Sequence, residues 1–387
     1  MTMHTNSWGN PKRNHKPDVS PFQGFGFARG RYPGLTPWAK MLRPFGADGG
    51  NALRAFFMAA RTIAKCQLTI AVLGALAFSS SAMAGDQGID PAAVPRLTST
   101  NEPPAPDKFA HPDGLIDPAT LAKWMDSKEK TVVIDARGES AFKLGHIPGA
   151  RNIQSDLFQD PNLPPYYMPP ADALKRICAQ EGISADTRVV IYDEDDGRLA
   201  ARIWFTLYAY GHDHVSILNG GVAKWREEKR GFSTAQPILD ANGTFAPRVA
   251  PRGCCSLIEL PQFRVRVKVM GKLPTVTLLD ARSRAEYMGE DVRGKVGGHI
   301  PGAANIPWSS MMSGAENARV WRSPPEIHAI LRLTNVDKNF PIAVYDQAGG
   351  RSAHLYFTLW LMGFENIHNY VGGWREYGNR DDAEVEK

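Results

Sequence analysis

The second half of the chain restates the first. Asp135-Ala136-Arg137 returns as Asp280-Ala281-Arg282, and Gly145-His146-Ile147-Pro148-Gly149-Ala150 returns as Gly298-His299-Ile300-Pro301-Gly302-Ala303. The polar six-residue stretch Asp193-Glu194-Asp195-Asp196-Gly197-Arg198 has its counterpart in Asp346-Gln347-Ala348-Gly349-Gly350-Arg351. Gly220-Gly221 before an aromatic-bearing segment returns as Gly372-Gly373. The offsets are 145 (Asp135 to Asp280), 153 (His146 to His299), 153 (Asp193 to Asp346) and 152 (Gly220 to Gly372). A period this long means two copies of a domain rather than a solenoid. The step from 145 to 153 places an insertion of about eight residues at Met288–Gly297.

Each copy reads as alternating short apolar strands and longer helices. In the first, Thr131–Ile134, Arg188–Tyr192 and Val215–Leu218 are predicted strands; Asp117–Ser127, Ala171–Gly182 and Leu199–Tyr210 are predicted helices, with a last one around Trp225. In the second, the strands are Val276–Leu279, Ile342–Tyr345 and Ile367–Tyr370; the helices are Pro324–Leu333, Ser352–Met362 and Trp374–Tyr377. Such alternation predicts an α/β fold of two tandem domains, each a mainly parallel sheet flanked by helices. Ligands then meet the carboxyl ends of the strands. Arg264–Val269 alternates like a strand, but the repeat assigns it to a helix.

The ends of the chain are of a different kind. Of 45 basic and 40 acidic residues, residues 1–84 hold ten and two, leaving 35 against 38, or about −3, for the rest. That balance excludes a nucleic-acid or anionic-membrane surface as the default function. From Met58 the chain reads as a secretory signal. Arg61 and Lys65 precede the eleven apolar residues Leu68–Phe78, and Ala82-Met83-Ala84 is a small-x-small cleavage site. Eleven apolar residues are too few to span a bilayer. The expectation is export, to the periplasm if the source is Gram-negative, with no membrane contact after cleavage. Residues 1–57 read as disordered or as lying upstream of the true start, and 85–111 as a Pro-rich linker. The domains are placed at 112–235 and 261–380, joined by a connector at 236–260 and followed by a tail at 381–387. Of four cysteines, Cys66 leaves with the signal. Cys178 falls at an apolar helical position and reads as a small buried hydrophobe, while Cys254-Cys255 falls in the connector. No spacing suggests a zinc site, and no cofactor is expected.

These doubled motifs resemble the two-domain rhodanese family, the thiosulfate and mercaptopyruvate sulfurtransferases, over about residues 112–380. The resemblance implies that the second loop, Asp346–Arg351, is the active loop and Asp193–Arg198 its vestigial partner, with Gly197 and Arg198 closing it. In the family the active loop begins with the cysteine that carries sulfur as a persulfide. Here that position is Asp346, and a carboxylate cannot form a persulfide. A carboxylate can instead take the loop's own amide hydrogen bonds from Gln347, Ala348, Gly349 and Gly350. The resemblance also implies Arg282 and Arg293 as holders of a substrate carboxylate, with Arg351 adding charge. Pairing of Arg282 with a local carboxylate such as Glu286 is the equal alternative. His146 and His299 are expected to fix turns rather than move protons.

Two functions follow as expectations. One is an exported rhodanese-like protein without ordinary persulfide turnover, binding a small sulfur-containing or other oxyanion or a protein partner. The other is a working sulfurtransferase whose thiol is Cys254 or Cys255, folded over the cleft. Asp346 as a phosphoryl-transfer nucleophile lacks any metal-ligand constellation to support it.

Overall fold

The computed structural model describes residues 105–158, 167–239, 241–255, 278–315, 318–334 and 336–387. The predicted signal, the alternating Arg264–Val269 stretch and residues 159–166 of the Pro-rich excursion lie outside them.

The first sheet has five strands: β1 (Leu115–Ile116), β2 (Thr131–Asp135), β3 (Arg151–Asn152), β4 (Arg188–Tyr192) and β5 (Val215–Leu218). Their order is β1-β5-β4-β2-β3, and every pairing is parallel. The helices are α1 (Pro118–Met125), α2 (Glu139–Leu144), α3 (Ala171–Gln180), α4 (Arg198–Ala209) and α5 (Gly221–Glu227). α1 starts where a cap and a proline coincide: Asp117 accepts the Thr120 N–H at 2.7 Å and Pro118 occupies the first turn. Strands β2, β4 and β5 are buried almost throughout, as uninterrupted Val/Ile runs in a sheet covered on both faces must be.

The second sheet contains β6 (Leu278–Asp280), β7 (Ala304–Asn305), β10 (Ile342–Tyr345) and β11 (Ile367–Asn369), ordered β11-β10-β6-β7 and again wholly parallel. A short antiparallel pair, β8 (Met312–Ser313) and β9 (Val320–Trp321), stands apart from it. Its helices are α6 (Arg284–Tyr287), α7 (Pro324–Leu333), α8 (Gly350–Leu361) and α9 (Gly373–Tyr377). Capping boxes start α6 and α7, Ser283 with Glu286 and Ser323 with Glu326. Among the described residues, no helix is long and apolar enough to cross a membrane.

The expected connector is in part a strand position. Cys254 bridges Asn369 in the parallel sense, Cys255 N–H donates to the Asn369 carbonyl at 3.1 Å, and Asn369 N–H donates to the Gly253 carbonyl at 2.7 Å. Residues 253–255 therefore occupy, beside β11, the edge that β1 occupies beside β5. The three-residue match is too short for an apolar period to betray it.

Helices α4 and α8 are buried nearly all round, which explains their continuous apolar composition. They pack on each other between the two sheets. Trp204 meets Phe357 at 4.7 Å and Trp360 at 4.9 Å, and Phe205 meets Tyr356 at 4.8 Å. Each helix begins at one of the two polar loops, so this packing brings both loops to one seam. A Cβ on Gly350 would sit 3.5 Å from the Arg198 guanidinium.

Candidate functional site

Both loops leave the carboxyl end of a central strand, β4 or β10, and turn through a left-handed glycine into a helix. Gly197 has φ 83° and Gly349 has φ 92°. The doubled Gly-Gly pair has its own reason. Gly221 (φ 51°) and Gly373 (φ 54°) lie against the carbonyls of Asp193 and Asp346, where a Cβ would come within 2.3 Å and 2.4 Å. The next residues donate to those same carbonyls: Val222 N–H to Asp193 at 3.0 Å, Trp374 N–H to Asp346 at 2.7 Å. This contact fixes the direction in which each loop-head side chain points.

In both loops that side chain folds back into the loop. The Asp193 carboxylate accepts the N–H groups of Asp195 (3.0 Å), Gly197 (2.9 Å), Leu199 (2.8 Å) and Ala200 (2.9 Å). The Asp346 carboxylate accepts those of Ala348 (3.0 Å), Gly349 and Arg351 (2.8 Å), with the Ser352 hydroxyl 3.2 Å away. Asp193 and Asp346 are both buried. The orphan donors of a helix N-terminus are a ready anion site, and here the protein's own carboxylates occupy it.

The arginines lie in other places than a shared anion pocket. Arg282 is buried at 1% exposure. Its guanidinium grips Asp280 (Nε at 3.0 Å, Nη2 at 2.6 Å), donates to the Gly298 carbonyl at 2.7 Å and lies 4.3 Å from the Trp374 ring. The local partner is Asp280, not Glu286, and Nε and Nη2 are both taken up by Asp280 and the Gly298 carbonyl. Arg137 repeats the arrangement with Asp135 (2.6 Å) and the Gly145 carbonyl (2.8 Å). Asp-Ala-Arg is thus a structural tie between the central strand and the Gly-His-Ile-Pro turn. Tyr192 and Tyr345 complete it by receiving the N–H groups of Ile147 (3.1 Å) and Ile300 (3.2 Å). Asn152 and Asn305 cross-brace the strand carbonyls from β3 and β7. Those four residues also recur at an offset of 153, so the same repeat comparison reaches them.

Arg351 and Arg293 do come together, on Glu286. Arg351 binds it through Nη1 at 2.5 Å and Nη2 at 2.9 Å, and also lies 3.7 Å from Asp346. Arg293, half exposed at the mouth, is 2.7 Å from Asp291 and 3.6 Å from Glu286, and its carbonyl accepts the Gln347 amide at 2.9 Å. Burial pushes the Glu286 carboxyl up, but the Arg351 guanidinium outweighs it and holds the group down at about 2. Around the second loop, Arg282, Arg293 and Arg351 thus face Asp280, Glu286, Asp291 and Asp346. An incoming anion meets cations already matched by carboxylates.

His146 and His299 stack on Phe142 (3.8 Å) and Tyr287 (3.6 Å), and each meets the carbonyl of that same residue, in the preceding helix, through Nδ1 at 3.0 Å, while His146 Nε2 also meets the Ala235 carbonyl at 3.1 Å. Cys178, Cys254 and Cys255 form no disulfide. Cys178 is fully buried, and burial pushes its thiol up to about 12. The register Cys254–Asn369–Val344 puts Cys254 two strand spacings, roughly 10 Å, from Val344 and two residues short of Asp346, so roughly 12 Å from Asp346. Cys254 borders the α8 side of the sheet and Cys255 the opposite side, with Tyr370 and Trp374. Neither folds over the loop. Among the described residues, no cluster of three or more His, Cys, Asp or Glu could hold a metal ion.

Two rhodanese-like domains match the chain, at residues 117–228 and 266–380, and the protein belongs to that family. A thiosulfate sulfurtransferase of Corynebacterium glutamicum is 31% identical over 290 residues, covering 71% of this chain and 91% of the relative. A thiosulfate sulfurtransferase of Azotobacter vinelandii is 31% identical over 285 residues, covering 72% and 99%. Among solved structures, that of YnjE superposes with a TM-score of 0.63 at 22% identity, over 72% of this chain and 69% of its own.

Proposed function

We propose that this protein is an exported rhodanese-like protein that does not turn over sulfur as a loop persulfide, and that it serves as a partner-binding module. The observation that carries this reading is the Asp346 carboxylate seated on the N–H groups of its own loop. By the family resemblance, those groups would otherwise receive a sulfur-carrying cysteine. The loop head here has no thiol, and its carboxylate already holds the Ala348, Gly349 and Arg351 amides that would otherwise meet thiosulfate or mercaptopyruvate. The prior pairing of Arg282, Arg293 and Arg351 favours a protein partner over a small anion. The Met58–Ala84 signal supports export.

The second reading, an active sulfurtransferase using Cys254 or Cys255, draws support from the names of the relatives. Against it, both thiols sit at the far edge of the second sheet. Thiocyanate formation from cyanide with thiosulfate or mercaptopyruvate, measured on the chain from Gly85 onward, separates the two. The proposal expects no rate above the protein-free control. Turnover that survives Cys178→Ala, Cys254→Ala and Cys255→Ala together overturns this account of the loop. Turnover that is lost with Cys254→Ala or Cys255→Ala but kept in Cys178→Ala establishes the second reading.

A further inference from the structure

At the seam between the loops one polar side chain is enclosed without a well-formed hydrogen bond. His354, one turn into α8, has no exposed surface, and neither ring nitrogen makes a well-formed hydrogen bond, the Asp196 backbone carbonyl being a nearby but weak acceptor. Its ring lies flat on Trp321 at 4.5 Å and meets the edge of Trp308 at 5.0 Å. Trp321 is the keystone of the seam. Its ring covers Gly197 of the first loop, its N–H donates to Asn219 Oδ1 at 3.0 Å, and its indole N–H donates to Thr358 at 3.0 Å. Thr358 in turn donates to the His354 carbonyl at 2.9 Å. Histidine, tryptophan and the first loop are thus one packed unit spanning the two domains.

A neutral imidazole fits this enclosure at the cost of unmet hydrogen bonds, whereas an imidazolium does not fit it. The ionisable groups facing it supply no free counter-charge. From the first loop, Arg198 is a repelling cation, already joined to Asp195 at 2.7 Å. Asp196 of the same loop is engaged by Arg319 at 3.6 Å, from the approach to β9. On α8 itself, Arg351 is held by Glu286. Trp308 and Trp321, from the other packed elements, carry no charge. The remaining acceptor is the Asp196 backbone carbonyl, in a residue held at φ 49°. Burial pushes the His354 imidazole down to about 3, against the weaker pull of that carbonyl.

We propose that His354 makes the interdomain seam an acid-sensitive latch, closed when the ring is neutral and parted from Trp321 and the first loop when the ring is protonated. The sign follows from linkage. The closed state binds the proton at about 3 and the open state at the ordinary value near 6.5. The proton-linked contribution to closure is fully present above about 6.5 and is lost as pH falls from there toward 3. One proton changes the closed-to-open ratio about tenfold per pH unit in that window.

The test is a pH titration of the whole protein from 8 to 3.5, following tryptophan emission and the radius of gyration by X-ray scattering. His354→Phe keeps the ring stack and removes the charge. It is expected to lower the slope of log(closed/open) against pH by about one proton and to move the opening midpoint to lower pH. His212→Phe, a buried histidine in the first domain, serves as a comparison and should leave the seam's opening unchanged. An unchanged midpoint in a folded His354→Phe variant overturns the proposal. If that variant does not fold, the native protein still decides the matter by imidazole NMR. A His354 ring that stays neutral until the seam opens sustains the latch, and a ring that titrates near 6.5 with the seam closed refutes it.

Discussion

In the first domain the Asp193 carboxylate takes four backbone N–H groups, and Arg198 turns outward to Asp195. In the second, Asp346 takes three N–H groups with a serine hydroxyl nearby, while Arg351 turns inward to the buried Glu286. The residue matching Glu286 at the offset of 145 is Ala141, so the first domain has no equivalent carboxylate. Both loops are filled by their own aspartate, yet only the second ties its closing arginine to a buried carboxylate from outside the loop, whereas Arg198 pairs within its own loop. The first loop is closed by a neighbouring domain instead, through Trp321. Similar backbones have come to rest on different supports.

Glu286 is where that difference breaks most sharply. Glu286→Gln leaves the Arg351 guanidinium buried against a neutral amide and is expected to cost about 3–5 kcal/mol, read by urea unfolding. Ala141→Gln in the first domain, where no arginine waits, should cost much less. Next come the loop heads. Asp193→Ala strands four donors and is expected to cost about 2–4 kcal/mol. Asp346→Ala strands three and should cost less, because Ser352 already has Asn369 at 2.8 Å. If Asp346→Ala proves the costlier change, the pairing of Arg351 with Asp346 matters more than the amide count.

Acid sharpens the same contrast. Glu286 is held below its ordinary value, so its stabilisation is present above about 4.5 and is lost as pH falls toward about 2. The stability difference between the native chain and Glu286→Gln should shrink over that window, and a pH-independent difference would mean the ion pair contributes little. The smallest effect concerns the matched histidines. His146→Phe and His299→Phe keep the ring stacks; the first loses contacts with the Phe142 and Ala235 carbonyls, the second those with the Tyr287 carbonyl and Glu386, and each is expected to cost about 1 kcal/mol. A large asymmetry between them would show that the two Gly-His-Ile-Pro turns are not equivalent.

Much of this architecture was legible because the chain says it twice. The repeat aligned weak local patterns, and the two parallel sheets, the strand-loop-helix units and the loop-head aspartates all follow from it. The exception at the edge is instructive. Gly253–Cys255 pairs with β11, but a strand position that short carries no alternation, and a Pro/Gly-bearing stretch reads as a connector. Arginine roles were the harder matter. Arg282 is a conspicuous cation in a doubled motif, and its partner two residues back, Asp280, is hidden from any argument that reads arginine as a ligand for substrate. Glu286, which draws in Arg351 from 65 positions away, could be seen only once the sheet had brought α6 beside the loop. His354 lay inside an apolar helical run, where nothing marks a ring without partners.

On the proposed reading, the second loop lacks a sulfur carrier because its head is a carboxylate seated on the loop's own amides. Intact-mass spectrometry after incubation with thiosulfate tests it most directly, on the native chain and on Asp346→Cys. No added sulfur atom is expected on the native chain, and one added sulfur on the variant, at the new cysteine. A native chain that gains sulfur would contradict it, whichever thiol carries the atom.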